Sequence, residues 1–136
     1  MDIEILKGTE VSRSKLNKVR NFLTSADLEL DDDIDTTVCV WEDGDLVATG
    51  SRAGYLLKCI AVSEKTRGSG YMSSLMGALW QDAFQNGIEE ILVYTKPENT
   101  AIFESLFFHR LASTNDVVIL ERKKGAAKRF VLNQVK

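Results

Sequence analysis

The sequence predicts an α/β (α+β) domain, a mixed and mostly antiparallel sheet of six to seven strands with helices on both faces. Strand-like and helix-like segments alternate at the centre of the chain, and β-rich runs joined by short turns flank them on either side, the pattern of a sheet covered by helices. A length of 136 residues suits one such domain, because a chain of about 150 residues buries roughly 70% of the surface it exposes when unfolded.

Each element has its own signal. Ile3 and Ile5 followed by Lys7-Gly8 make a short first strand. Ser12 or Ser14 then caps a helix that carries Leu16, Val19, Phe22 and Leu23 on one face. An acidic loop runs to Asp35. The segments Thr36 to Trp41 and Leu46 to Ala53 flank Glu42-Asp43-Gly44-Asp45, and an Asp-Gly pair between β-rich runs marks a hairpin. Gly54 turns the chain into a further strand, Tyr55 to Val62. Tyr71, Met72, Leu75, Met76, Leu79, Trp80, Ala83 and Phe84 recur at helical spacing, opposite Ser73, Ser74, Gln81, Asp82 and Gln85, and Gly87 supplies the stop. This stripe reads as core. Ile91 to Tyr94 is a buried strand, Pro97 breaks the path, and Asn99 caps a short helix holding Ile102, Phe103 and Leu106. Leu111 to Ser113 and Val117 to Arg122 make two last strands with Asn115-Asp116 at their turn. The domain is expected over residues 1–124, with 125–136 a helical tail or the start of a linker.

Composition removes several function classes. Apolar residues at 44% and charged residues at 27% are ordinary for a soluble globular protein. No apolar run approaches the roughly 18 residues of a membrane span, and Met1-Asp2-Ile3-Glu4 lacks the basic start and apolar core of a signal peptide, so a cytoplasmic protein without a membrane role is expected. A net charge of -3 disfavours nucleic acid as a partner. The charge is uneven: Asp27, Glu29, Asp31, Asp32, Asp33 and Asp35 crowd one stretch, and Arg122, Lys123, Lys124, Lys128 and Arg129 crowd the tail. The tail reads as a solvated helix face or as an attraction for an acidic partner. Cys39 and Cys59 lie in apolar strand patterns and form no CxxC pair, which argues against zinc and against a disulfide framework. They read as reduced core thiols, with a nucleophilic role for Cys59 as the alternative.

The chemistry concentrates after the strand that ends at Val62. A short polar turn leads to Arg67-Gly68-Ser69-Gly70, and the long helix follows. A strand feeding a glycine-containing loop into a helix N-terminus leaves backbone N–H groups directed at one spot, where the helix dipole also favours an anion. Glycine lets a ligand oxygen approach the backbone without meeting a Cβ. The ligand is therefore expected to carry phosphate. A Walker A string is absent, so nucleotide hydrolysis is disfavoured. Gly68-Ser69-Gly70-Tyr71-Met72-Ser73 matches two of the three glycines of the dinucleotide fingerprint, with Glu89 and Glu90 about 20 residues on. Against that reading, Ser63 to Arg67 separate the strand from the first glycine, and the chain is too short for two βαβαβ halves.

Lys65-Thr66-Arg67-Gly68-Ser69-Gly70 resembles the acyl-coenzyme A loop of the GNAT acetyltransferases, Gln/Arg-x-x-Gly-x-Gly/Ala, with lysine in place of the usual first residue. The preceding hairpin, the long helix and Asn99-Thr100-Ala101-Ile102-Phe103 extend the likeness. Asp35 to Val38, Lys58 to Glu64, Val93 to Lys96 and Val117 to Leu120 narrow it to the N-terminal GNAT-type domain of the citrate lyase ligases, over nearly the whole chain. That resemblance implies a GNAT fold with splayed fourth and fifth strands. It also implies acetyl-CoA, CoA or a pantetheine-like prosthetic group as the bound cofactor, and no metal. Cys59, Ile60 and Val62 would then face the pantetheine, and Arg67, Gly68, Ser69, Gly70 and Tyr71 the phosphates, with Asn99 and Phe103 completing the cofactor-binding set. The implied partners are a small-molecule acyl-CoA and the acyl carrier subunit of citrate lyase, whose prosthetic-group thiol such ligases acetylate with ATP and acetate. The nucleotidyltransferase domain of that family carries a His-x-Gly-His signature, and one histidine, His109, cannot supply it. The chain is expected to be an isolated domain that does not complete the ATP-dependent ligation.

Acetyl transfer needs a nucleophile, a donor for the developing oxyanion and a proton for the departing thiolate. A backbone N–H near Ile60 suits the oxyanion. Many GNAT enzymes supply the proton from a tyrosine four residues before the glycine of a Gly-Phe pair. Here Phe103 stands at that position and Phe107-Phe108 replaces the pair. Catalytic residues are therefore not assigned. Glu64 is a candidate base or a solvated loop residue, and His109 reads as a strand-start or surface residue. Three functions remain open: acetyl transfer to a carrier thiol, acetylation of a small amine by a free-standing enzyme, and a noncatalytic module that binds CoA or pantetheine.

Overall fold

A computed structural model describes residues 1–8, 12–64 and 70–123. They form β1 (Asp2–Lys7), α1 (Arg13–Ser25), β2 (Thr36–Glu42), β3 (Asp45–Ala53), β4 (Leu56–Val62), α2 (Tyr71–Gln85), β5 (Glu90–Thr95), α3 (Thr100–Ser105), β6 (His109–Ser113) and β7 (Val118–Lys123). The seven strands make one sheet in the order β1-β2-β3-β4-β5-β7-β6. All neighbours are antiparallel except β4 and β5, which are parallel because α2 carries the chain across between them. The expected tail at 125–136, and with it the boundary at 124, lies outside the described residues.

The turn chemistry explains where elements start and stop. At the β2–β3 hairpin Asp43 and Gly44 take φ of 52° and 84°, the two left-handed residues of a tight turn whose twist matches the strands. Ser12 accepts from the Lys15 amide at the start of α1. Gly87 (φ 78°) ends α2: its N–H donates to the Phe84 carbonyl and the Ile88 N–H to the Ala83 carbonyl, which satisfies two carbonyls that the helix leaves open. At α3 the expected cap differs. A 3-10 turn at Pro97–Asn99 precedes the helix, so Asn99 is already helical, and its amide donates to Thr95 Oγ1 at 3.1 Å instead of capping.

The core has two parts, one on each face of the sheet. On one face α2 lays Tyr71, Leu75, Met76, Leu79 and Ala83 over Val38, Val40 and Leu57, and Phe103 of α3 joins them. On the other, Val19 and Leu23 of α1 pack on Leu6, Cys39 and Ala61. Asp82 departs from its expected place on the polar face of the long helix. It is 2% exposed and meets Arg52 of β3, itself 4% exposed. Arg52 donates through Nε and Nη2 to Asp82 Oδ2 at 3.0 and 2.9 Å, and through Nη1 to the Gly54 carbonyl at 2.8 Å. Lys7 of β1 reaches Asp82 Oδ1 at 3.0 Å. Two buried charges tolerate loss of water here because each is held by several donors or acceptors of the opposite sign. This network ties α2 to β3 and β1.

Candidate functional site

The sheet opens between β4 and β5. Their parallel pairing is limited to Leu56↔Leu92 and Leu57↔Val93, so Lys58 to Val62 has no strand on the β5 side among the described residues. This is the expected splay of the fourth and fifth strands. A bulge in β4 helps produce it. Thr49 pairs with Ala61 and Ser51 with Lys58, so Cys59 and Ile60 stand against Gly50 alone. Cys59 takes φ 54° to accommodate the extra residue, a left-handed conformation that costs a side-chain-bearing residue energy. Gly50 stands opposite: a Cβ there would lie 2.9 Å from Leu79 Cδ1 and 3.3 Å from Ile60 Cγ1, so those side chains would have to shift to admit one.

The bulge also separates residues expected to act together. Ile60 and Val62 pack toward the α2 side. Cys59 packs with α1 on the opposite face, and its thiol donates to the Glu29 carbonyl at 3.3 Å. Burial pushes the Cys59 thiol above its ordinary value, and a backbone hydrogen bond only partly offsets this. A raised thiol is the wrong adjustment for a nucleophile. Cys39 is fully buried and is pushed up to about 11 by desolvation. Beside the bulge, Lys58 holds Asp33 and Asp31 at 2.8 and 3.1 Å, which straps the acidic loop across β4. The Lys58 hydrogen bond to Asp33 raises the lysine and lowers the aspartate.

The N-terminus of α2 stands after β4 in the chain. Gly70 occupies its N-cap with φ 82°, no side chain among the described residues caps it, and its first turn holds no acidic residue. The first amides of the helix thus lack intrahelical acceptors, and the dipole favours an anion. Tyr71 is buried and its hydroxyl donates to Glu42 Oε2 at 2.8 Å, fastening the start of α2 to the β2–β3 hairpin. What Tyr71 can offer a ligand is its backbone N–H. Arg67, Gly68 and Ser69 lie outside the described residues.

Thr95, the last residue of β5, and Asn99, in the turn that follows, are half-buried and hydrogen-bonded to each other. Phe103 is 2% exposed, with its ring edge-on to Phe108 at 5.5 Å between centroids. It is a core residue carrying no polar atom. His109 is exposed at the first position of β6, opposite Glu121, and Glu64 is exposed after β4. Sequence reasoning missed Arg52, whose strand position gave no sign of a buried partner, and Glu42, which it read only as part of a turn. Among the described residues no group of His, Cys, Asp and Glu has a metal-binding arrangement, and no helix is long and apolar enough to cross a membrane.

The profile of the acetyltransferase (GNAT) family matches residues 9–104. The chain is 33% identical over 126 residues to a [Citrate [pro-3S]-lyase] ligase of Escherichia coli (strain K12), covering 90% of this chain and 36% of that protein. It spans about a third of the length of the curated relatives it matches. Its fold is similar to the crystal structure of Escherichia coli ElaA, with a TM-score of 0.77 at 15% identity, covering 90% of this chain and 99% of that one. It is also similar to N-acetylglutamate synthase from Neisseria gonorrhoeae complexed with coenzyme A and N-acetyl-glutamate, with a TM-score of 0.66 at 14% identity, covering 90% of this chain and 35% of that one.

Proposed function

The chain belongs to the GNAT acetyltransferase family, and from that premise we propose that it binds acetyl-CoA, or a pantetheine-like thiol arm, in the opening between β4 and β5 and serves acetyl transfer to the prosthetic-group thiol of the citrate lyase acyl carrier. The observation that carries the reading is the combination, among the described residues, of a β4 edge without a strand partner beyond Leu57 and an α2 N-terminus without a side-chain cap. A peptide-like pantetheine arm needs strand-edge hydrogen-bonding groups, and a diphosphate needs unpaired amides at a helix start. The relatives named as citrate lyase ligases support the carrier as partner, and the similar fold complexed with coenzyme A supports the cofactor.

In this reading Lys58 to Val62 line the arm, with Ile60 and Val62 supplying side chains on the α2 side and Cys59 contributing its backbone. The amides of Gly70 and Tyr71, with Arg67, Gly68 and Ser69, hold the phosphates, and Asn99 closes the far wall. The acceptor thiolate attacks the thioester carbonyl, a backbone N–H near Ile60 steadies the oxyanion, and the CoA thiolate leaves carrying the electron pair. Attacking and leaving thiols both have pKa values near about 8.5, so the exchange is nearly symmetric and demands little proton management. An amine acceptor requires a proton donor to the leaving thiolate, and Phe103 provides none.

Calorimetric titration with acetyl-CoA, paired with turnover on a pantetheine thiol and on small amines, tests the reading. Binding and transfer to the thiol are expected. Tight binding without any turnover selects a noncatalytic carrier of CoA, turnover on amines alone discards the thiol acceptor, and absence of binding discards the site.

A further inference from the structure

We propose that Glu42 is a positioning residue for phosphate: through the Tyr71 hydroxyl it holds the first turn of α2 in place without using any of that turn's amides. This rests on the diphosphate reading of the α2 N-terminus given above. A helix start is ordinarily fixed by a side-chain oxygen that accepts from one of the first amides, and such a cap would occupy the donors that a ligand needs. No side chain among the described residues caps α2; Gly70 stands at the N-cap, and the Ser74 N–H donates to the Gly70 carbonyl at 3.1 Å. The anchor is Tyr71, the first helical residue. Its ring is 9% exposed and belongs to the core cluster that also holds Val40, Val47 and Ala48, and its hydroxyl donates to Glu42 Oε2 at 2.8 Å. The turn is gripped by its first side chain, and this grip draws on none of its backbone donors.

Glu42 is itself a fixed point. It ends β2, pairs with Asp45 across the hairpin and precedes Asp43 and Gly44, whose left-handed backbone sets the tight turn. Its other oxygen, Oε1, lies 3.5 Å from the Met1 ammonium, so both carboxylate oxygens are engaged. The Tyr71 hydrogen bond, with the Met1 charge, holds the Glu42 carboxyl below its ordinary range, and the carboxylate raises the phenol. At neutral pH the contact is therefore a phenol donating to a carboxylate, and a hydrogen bond to an ionised acceptor is stronger than a neutral one. A binding geometry kept within about 0.5 Å needs side chains locked by packing and hydrogen bonds behind it. Here that support comes from a strand end 29 residues earlier in the chain.

Calorimetric titrations with acetyl-CoA, and with S-acetylpantetheine, which carries the thioester arm without the diphosphate, test this in the parent, Glu42→Ala, Glu42→Gln and Tyr71→Phe chains, each checked for an intact thermal transition. Affinity for acetyl-CoA should fall about tenfold in Glu42→Ala and in Tyr71→Phe, and affinity for S-acetylpantetheine should not change. The Glu42→Ala/Tyr71→Phe chain should be no weaker than either single variant, because the two groups act as one contact. Glu42→Gln keeps an oxygen that accepts from the phenol and should return to within about threefold of the parent. Unchanged acetyl-CoA affinity in Glu42→Ala, equal losses for both ligands, or a Glu42→Gln chain as weak as Glu42→Ala overturns the positioning role and leaves the cofactor site standing. A parent that binds neither ligand overturns the site, and the positioning role with it.

Discussion

Replacing Asp82 with Asn keeps the side chain's shape and removes its charge from the most buried ion pair among the described residues. Arg52 would remain 4% exposed with an amide where two charge-assisted hydrogen bonds of 3.0 and 2.9 Å stood, and Lys7 would lose its 3.0 Å contact. Breaking one side of a buried pair costs about 3–5 kcal/mol, a large share of a total stability of about 5–15 kcal/mol. With a urea slope of about 2 kcal/mol/M the midpoint should fall by about 2 M. An Arg52→Met/Asp82→Leu variant removes both charges, and its stability should lie within about 1 kcal/mol of the parent or above it. The pH dependence follows from the same contacts. Burial pushes the Asp82 carboxyl up, but hydrogen bonds from Lys7, Arg52 and Thr36 outweigh it, so the folded value lies below the ordinary carboxylate value. A depressed carboxylate contributes stability that is complete above its unfolded value and is lost as pH falls through the folded one. The parent should therefore lose stability in acid more steeply than the double variant. Equilibrium urea unfolding across pH reads all of this. An Asn variant that costs under about 1 kcal/mol, or acid profiles of equal slope, would refute the reasoning.

Gly50→Ala places a methyl 2.9 Å from Leu79 Cδ1 and 3.3 Å from Ile60 Cγ1, and should cost about 1–3 kcal/mol by urea unfolding through overpacking; an unchanged midpoint would show that α2 yields freely. Phe103→Tyr puts a hydroxyl into a site 2% exposed and should destabilise by about 1–3 kcal/mol without creating amine acetylation, so a gain of amine turnover would contradict the core placement of this ring. Cys59 should react with iodoacetamide along a pH profile displaced upward from that of a free thiol, since burial raises it, and Cys59→Ser should retain transfer activity. A midpoint below the free-thiol value would restore it as a nucleophile.

Much of the sheet was legible because its punctuation is chemical. Asp43-Gly44 and Gly87 sit where left-handed backbone is needed, and local sequence alone announces such positions. The bulge at Cys59 carried no such signal: a cysteine takes the left-handed conformation there, and only the register against Gly50 reveals it. The strand β4 was legible while the faces of its side chains were not, since one extra residue sends Cys59 to the α1 side and Ile60 to the other. Helical periodicity alone turns Asp82 toward solvent, because the wheel cannot show that Arg52 and Lys7 come from strands 30 and 75 residues earlier to receive it. The Tyr71 hydroxyl is engaged by Glu42 of β2, a partnership that sequence distance hides. Phe103 packs edge-on to Phe108, which turns the missing tyrosine into a filled core position.

The central claim is that the β4 edge and the α2 N-terminus together hold the cofactor. Amide chemical-shift mapping during titration with acetyl-CoA tests it most directly. The largest changes should fall on residues 58–62 and on Gly70 to Ser73, and a Gly70→Glu chain, which sets bulk and negative charge against the expected phosphate, should show none of them while remaining folded. Saturable binding that leaves both segments unmoved, or binding unaffected by the Gly70 substitution, would contradict the account.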